Sequence, residues 1–224
     1  MDENVKSVMQ KRVERTMRAL EDNNIQPYFV KSRQEVAPLV QSLLKQGETV
    51  TCGGSMTLSE TGVLDLLRSG EYRFLDRAAP GLTGEEIDKL HRDAFFADTY
   101  LSSTNAVTEN GELYNVDGNC NRISALLFGP KSVVIVAGLQ KIVRDLDEAV
   151  YRVKSIAAPA NVVRLHCDTA CYETGRCVSL QKKNSAMTDG CKNKGRICVN
   201  YAVHAWQRDK GRIKVILVGE ELGY

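Results

Sequence analysis

Residues 131–137 read Lys-Ser-Val-Val-Ile-Val-Ala, and residues 213–218 read Ile-Lys-Val-Ile-Leu-Val. Continuous β-branched runs with no polar alternation fit strands covered on both faces, the usual condition in a parallel sheet. Helical and extended patterns alternate around these two runs. Val5, Met9, Val13, Met17 and Leu20 share one face of a helix over Asp2–Glu21. A strand at Pro27–Val30 follows. Ser32 and Glu35 form a capping box for a helix that Gly47 ends, with Pro38 either in its first turn or at a bend. Glu48–Cys52 is a strand. Thr57 and Glu60 cap a helix reaching about Arg68, and Thr83 opens another through about Phe96, with a strand at Tyr72–Leu75 between them. Asp98–Leu101, Asn105–Thr108 and Glu112–Val116 read as strands, the last two joined by an Asn110-Gly111 hairpin. A helix over Val143–Ile156 is expected to stop before Pro159, with a short strand at Val162–Leu165. This alternation predicts an α/β fold built on a mostly parallel sheet. Residues 1–24 form an N-terminal helix and 25–165 the α/β core. Residues 166–205 form a cysteine-rich segment with a mobile insertion, and 206–224 hold a C-terminal strand that completes the core.

A chain of 224 residues with 43% hydrophobic and 26% charged residues is of ordinary globular composition, long enough for one sizeable domain and a small appendage. The net charge of +2 is unevenly spread: from Arg176 to Lys214 ten Lys or Arg face two Asp, so the remainder of the chain carries −6. A solvated surface is the preferred reading of that basic stretch over nucleic-acid binding. A third reading is local compensation of anionic thiolates. The N-terminus is charged and amphipathic rather than a leader, and no apolar run approaches the ~20 residues of a membrane span. The expected compartment is therefore the cytoplasm, where disulfides are rare.

Three groups of residues could carry chemistry. Cys171, Cys177, Cys191 and Cys198 lie among Gly, Lys, Arg and Asn, where no core can form. Their spacing, C-x5-C-x13-C-x6-C, is not the paired CxxC of zinc ribbons. It suits an iron–sulfur cluster at least as well as zinc, with His166 and Cys167 as substitute ligands. The second group is the turn Gly53-Gly54-Ser55 between a strand and a helix, followed by Thr57. Glycines there admit an anion such as a phosphate, a carboxylate or a CoA-type group, or else simply make a tight turn. The third is the polar stretch from Asn105 to Arg122, where Glu109 or Glu112 could act as base or nucleophile and Asn105, Asp117, Asn121 and Arg122 could bind a ligand. Turn chemistry alone would explain Asn110 and Gly111.

These motifs together resemble the LUD-domain, or lactate utilization, family. Cys52-Gly-Gly-Ser-Met-Thr-Leu-Ser-Glu60, Asn105-Ala-Val-Thr-Glu-Asn-Gly-Glu112 and Asn115-Val-Asp-Gly-Asn-Cys-Asn-Arg122 carry the resemblance. Phe128–Lys131, Arg152–Arg164 and Val215–Gly223 extend it over nearly all of the chain after the first helix. The likeness is to short single-domain members with C-terminal cysteines. It implies a three-layer α/β/α sandwich of the CoA-transferase and ribose-phosphate isomerase type. It also implies a role in lactate or hydroxy-acid oxidation and iron–sulfur or redox partner proteins; a homodimer is open. The four cysteines fall on the family's pattern, interrupted by an insertion, Val178–Gly190. Lys141 also falls on it, whereas Gln140 stands where Asn is expected. The resulting expectation is a metalloprotein with a [4Fe–4S] cluster, zinc being the alternative metal. A small anion would lie between Gly53–Ser55 and Asn105–Arg122, with Glu109, Glu112 and Lys141 as catalytic candidates. Two rivals are a non-catalytic accessory or regulatory subunit with structural zinc and a carboxylate-dependent isomerase- or CoA-transferase-like enzyme.

Overall fold

In the computed structural model, which describes residues 2–224, the run 131–137 lies within strand β7 (Ser132–Gly138), inside a six-stranded sheet. Its companions are β1 (Gln26–Val30), β2 (Thr49–Cys52), β3 (Arg73–Leu75), β4 (Thr99–Ser102) and β10 (Ile213–Val218). The order is β1-β10-β7-β4-β2-β3, and every pairing is parallel. Successive residues of β7 serve opposite cores. Val133, Ile135 and Ala137 pack with Val13 and Leu20 of α1 (Glu3–Asp22) and with Ala125 and Leu126 of α6 (Asn121–Phe128). Val134 and Val136 pack with Val36 and Val40 of α2 (Val36–Leu43), Leu58 of α3 (Met56–Glu60), and Val63 and Leu67 of α4 (Val63–Leu67). Two apolar layers on one sheet give the three-layer α/β/α sandwich. Among the described residues no helix is long and apolar enough to cross a membrane.

A second, four-stranded sheet holds β5 (Ala106–Thr108), β6 (Leu113–Asp117), β8 (Ile142–Val143) and β9 (Asn200–His204), in the order β8-β5-β6-β9. The Asn110-Gly111 hairpin joins β5 to β6 as expected. Gly111 has φ +79°, and a Cβ there would stand 2.5 Å from the Ala19 backbone, so the hairpin tip presses directly on α1. Tyr114 and Val116 of this sheet cover Ala149 of α7 (Leu146–Arg152) and Ala158 of α8 (Ala158–Leu165).

Three local expectations are corrected. The N-cap of α3 is Ser55, whose Oγ accepts from Leu58 N at 3.2 Å. Thr57 therefore lies within the helix, and its hydroxyl is engaged elsewhere. The helix does not run unbroken to Arg68, because Gly62 at φ +70° separates α3 from α4. Pro159 does not stop the helix begun by α7. A π-helical turn, Val153–Ala157, shifts the ladder, and Pro159 falls in the first turn of α8, where its missing N–H leaves no bond unmade. Residues 162–165 are accordingly helical, not extended. A 3₁₀ turn at Val178–Gln181 buries Ser179 completely, and Lys154 Nζ donates to Ala186 O at 2.7 Å. The remaining helices are α5 (Gly84–Asp93), opened by the Thr83–Glu86 capping box, and α9 (Ala170–Thr174).

Because β7 is packed on both faces, Ile135→Ala is expected to lower unfolding free energy by about 3 kcal/mol in urea denaturation. A loss below about 1 kcal/mol would mean that this strand has an open face.

Candidate functional site

The loops leaving the carboxyl ends of β2, β4 and β7 converge on a cleft of about 490 Å³, the position where open parallel sheets place ligands. Gly53, Gly54, Ser55, Thr57, Asn105, Asp117, Asn121 and Arg122 all line it, together with Lys141. The structure thus gathers every expected ligand-binding residue and one of the three catalytic candidates. Glu109 and Glu112 lie outside it, at the hairpin tip. Glu109 is four residues along β5 from Asn105, on the order of 13 Å at strand rise. Its carboxylate pairs with Arg12 at 2.7 Å and Arg15 at 3.0 Å on α1, and the Glu112 carboxylate accepts from Thr108 Oγ1 at 2.7 Å. Both are hairpin anchors.

The glycines of the turn are explained by close approach rather than by backbone conformation, since neither Gly53 nor Gly54 has a positive φ. A Cβ at Gly54 would overlap the Arg77 guanidinium, and one at Gly53 would crowd Tyr100 and Arg122. The turn is therefore open so that two arginines can reach the cleft floor. Helix α3 is only five residues long, so these side chains, more than its dipole, set the local charge.

Arg122 is held by acceptors without a carboxylate. Its Nη1 donates to Asn115 Oδ1 at 2.5 Å, and its Nη2 to Asn105 Oδ1 at 2.9 Å and Val116 O at 2.7 Å. Arg152, 6% exposed, donates to the Asn105 and Gln140 carbonyls at 2.8 and 3.0 Å. Lys141 is 2% exposed, and its Nζ donates to Thr57 Oγ1 and Ser103 Oγ, each at 2.9 Å. Burial, then the charges of Arg152 and Arg122, lower its pKa to about 7. Asp117 is the sole acid on the cleft wall among the described residues. Its carboxylate already accepts from Gly118 N, Arg122 N and Ile123 N, all at 3.0 Å. It holds the turn into α6. With Arg77, Arg164, Lys194 and Arg196 also on the wall, the cleft is strongly cationic and favours an anion. Sequence reasoning missed Arg77, Ser103 and Arg152. The hydroxyl run Ser102-Ser103-Thr104 at a strand end was a usable signal for Ser103. Nothing local marks Arg77, which arrives from the loop after β3.

Cys171, Cys177, Cys191 and Cys198 line one small, mostly apolar cavity beside this cleft. His166 and Cys167 do not. Burial and the neighbouring thiols of Cys171, Cys177 and Cys191 push the Cys198 thiol up to about 12, with Arg196 opposing. Lys154 and Arg196 supply positive charge to the chamber wall, whereas Lys182, Lys183, Arg208 and Lys210 are exposed. Arg196 also ties the segment together, donating to the carbonyls of Cys198 at 2.7 Å and Cys191 at 3.0 Å. Among the described residues no three His, Cys, Asp or Glu are drawn around a single point as one metal ion would need. Cys198, Arg196, Ile197, Val153 and Ala158 line both cavities, so one thin wall separates them.

The depressed Lys141 pKa makes a stability prediction. Folded Lys141 is neutral above pH 7, whereas the unfolded side chain stays protonated to about 10.5. The unfolded state therefore binds more protons between these values, and this group's contribution to stability rises with pH across that window. Below pH 7 the full cost of the buried charge is present. Lys141→Met should raise unfolding free energy by about 3 kcal/mol at pH 6 and by under about 1 kcal/mol at pH 10, read by urea denaturation. Equal effects at both pH values would show that the amine is not desolvated.

The sequence matches the LUD domain family over residues 13–218. No curated protein matches it. Among solved structures the fold is similar to that of a DUF162 family protein from Deinococcus radiodurans, at 14% identity and a TM-score of 0.52, covering 94% of this chain and 98% of that one. Partial likeness extends to eIF2B beta from Chaetomium thermophilum, at 15% identity and a TM-score of 0.35, over 52% of this chain and 45% of that one. The family match takes in nearly the whole sequence, and the chain belongs to the LUD domain family.

Proposed function

We propose that this chain is an iron–sulfur protein of lactate or related hydroxy-acid metabolism. It would hold a [4Fe–4S] cluster on Cys171, Cys177, Cys191 and Cys198 and a small carboxylate in the adjoining cleft. The observation that carries this reading is the shared wall. Cys198 borders both the cysteine chamber and the cationic cleft, and a purely structural zinc has no need to lie beside a ligand site. The donor set supports it as well. Four thiols from separate segments line one space, and burial with the neighbouring thiols raises the Cys198 thiol, so that its ionisation would need a cationic centre.

When bound, such a cluster supplies one-electron transfer or Lewis acidity next to the cleft. The rest falls to the chain's own side chains. Arg77 makes no ion pair among the described residues, and its one side-chain partner is His91 Nε2 at 3.4 Å, so its guanidinium fork is free for a carboxylate. Arg122 adds positive charge locked by Asn105 and Asn115. Lys141 Nζ, with its pKa lowered to about 7 and held by the Thr57 and Ser103 hydroxyls, can accept a proton from a ligand hydroxyl. The wall of Val153, Ala157, Ala158 and Leu165 limits water on the far side.

Protein purified without oxygen should be brown, with about four iron and four sulfide per chain. Cys177→Ser and Cys198→Ser should each lower the iron content. A colourless protein holding zinc would replace this reading with that of an accessory subunit. Independently, Arg77→Ala should weaken lactate binding about tenfold or more by calorimetry, as expected for loss of a charged hydrogen bond. Unchanged affinity would place the carboxylate elsewhere.

A further inference from the structure

We propose that the cleft captures small 2-oxo acids covalently, as an imine between Lys141 Nζ and the carbonyl carbon. This rests on the anion-binding part of the reading above and not on the cysteine chamber.

The hydrogen-bond pattern around Nζ is that of a nucleophile. Thr57 Oγ1 gives its own proton to Leu222 O at 3.2 Å, and Ser103 Oγ gives its proton to Thr104 O at 3.4 Å. Both hydroxyls therefore act as acceptors toward Lys141, each at 2.9 Å. A neutral amine has two protons to donate, and these two oxygens take them. Its lone pair is then left uncommitted on a group that lines the cleft. The surroundings keep the amine neutral. It has no carboxylate partner, and the charged groups that act on it are Arg152 and Arg122, which disfavour a third positive charge, and Glu60, which favours one more weakly. The Glu60 carboxylate is itself engaged, accepting from Gly223 N at 2.9 Å. Desolvated amines beside other cations are the usual carbonyl-trapping lysines. The cationic wall selects an anion, and Arg77 offers a fork for its carboxylate. A 2-oxo acid presents that carboxylate next to an electrophilic carbonyl, and is what oxidation of a 2-hydroxy acid would leave in this cleft.

The step balances without a further reactant. The Nζ lone pair attacks the carbonyl carbon and forms a C–N bond. The carbonyl oxygen departs as water with the two amine protons, leaving a C=N bond that takes up a solvent proton. Ser103 and Thr57 position that nitrogen through the hydrogen bonds they accept from it.

The test uses the intact protein, pyruvate as probe and sodium borohydride as trap at neutral pH. It is followed by intact mass and peptide mapping, with pyruvate binding measured in parallel by calorimetry. The expected result is a single reduced adduct per chain on the peptide carrying Lys141. Lactate, which lacks the carbonyl, should suppress it by competition. Lys141→Met should lower labelling to the level of surface lysines. Mapping on the wild-type protein keeps the result decisive even if that variant folds poorly. Pyruvate binding with no adduct overturns the imine while leaving the anion cleft standing. Neither binding nor adduct overturns both, and an adduct spread over surface lysines overturns the assignment to Lys141.

Discussion

Burial of β7 on both faces is the constraint from which the rest of the molecule follows. A strand whose alternate residues enter two separate cores can hydrogen-bond only to neighbours that are themselves covered, so β4 and β10 flank it in parallel register. Parallel pairing brings all six carboxyl ends to one edge. The loops after β2, β4 and β7 then meet by necessity, and the polar residues they carry become walls of one cleft. The second sheet closes that cleft from the side. The hairpin base supplies Asn105 and Asp117, while the tip is fastened to α1 by Glu109 with Arg12 and Arg15.

What distinguishes the cleft and the residues just behind it is an excess of positive charge over its one acid among the described residues, Asp117. The side chains of Arg122, Arg152 and Lys141 are satisfied by carbonyls, amides and hydroxyls rather than by direct ion pairs, with Asp117 offsetting part of the Arg122 charge. Such an arrangement costs stability in the empty protein. An anion in the cleft would offset that cost, and burial together with the same arginines lowers the Lys141 pKa. An anion that stabilises Arg122 and Arg77 also raises the proton affinity of the amine beside it.

The π-helical turn at Val153–Ala157 links the cleft to the cysteine chamber. Its wider register points Val153 and Ala157 into the cleft wall, and Lys154 toward Ala186 and the cysteines. Such turns recur at functional sites because an extra residue re-aims side chains without breaking the helix. Lys154 and Arg196 between them fix the path of the insertion that separates the second and third cysteines, which is how thiols so unevenly spaced in the chain come to face one space.

The sequence determined the layers and the identity of most of the site. Continuous β-branched runs, alternating helical periods and the Asn110-Gly111 turn are local physics, legible without contacts. So were the polar turns at Gly53–Ser55 and Asn105–Arg122, because strand ends in a parallel sheet gather on one edge. Tertiary structure alone decided which polar groups were free. Glu109 and Glu112 read as candidate bases, yet the hairpin carried Glu109 to α1 and left Glu112 accepting from Thr108. Asp117 lies in the cleft with its oxygens spent on three backbone N–H groups. Arg77 carried no local signal, and Gly54 is small only to admit it. Lys141 looked like an ordinary charge partner, and its lowered pKa comes from burial and from the charges of Arg152 and Arg122, neither of which adjoins it in sequence. Charge and burial are long-range quantities, set by what packs around a group rather than by its neighbours along the chain. For that reason the fold and the place of the site could be read from residue order, and the chemical state of its groups could not.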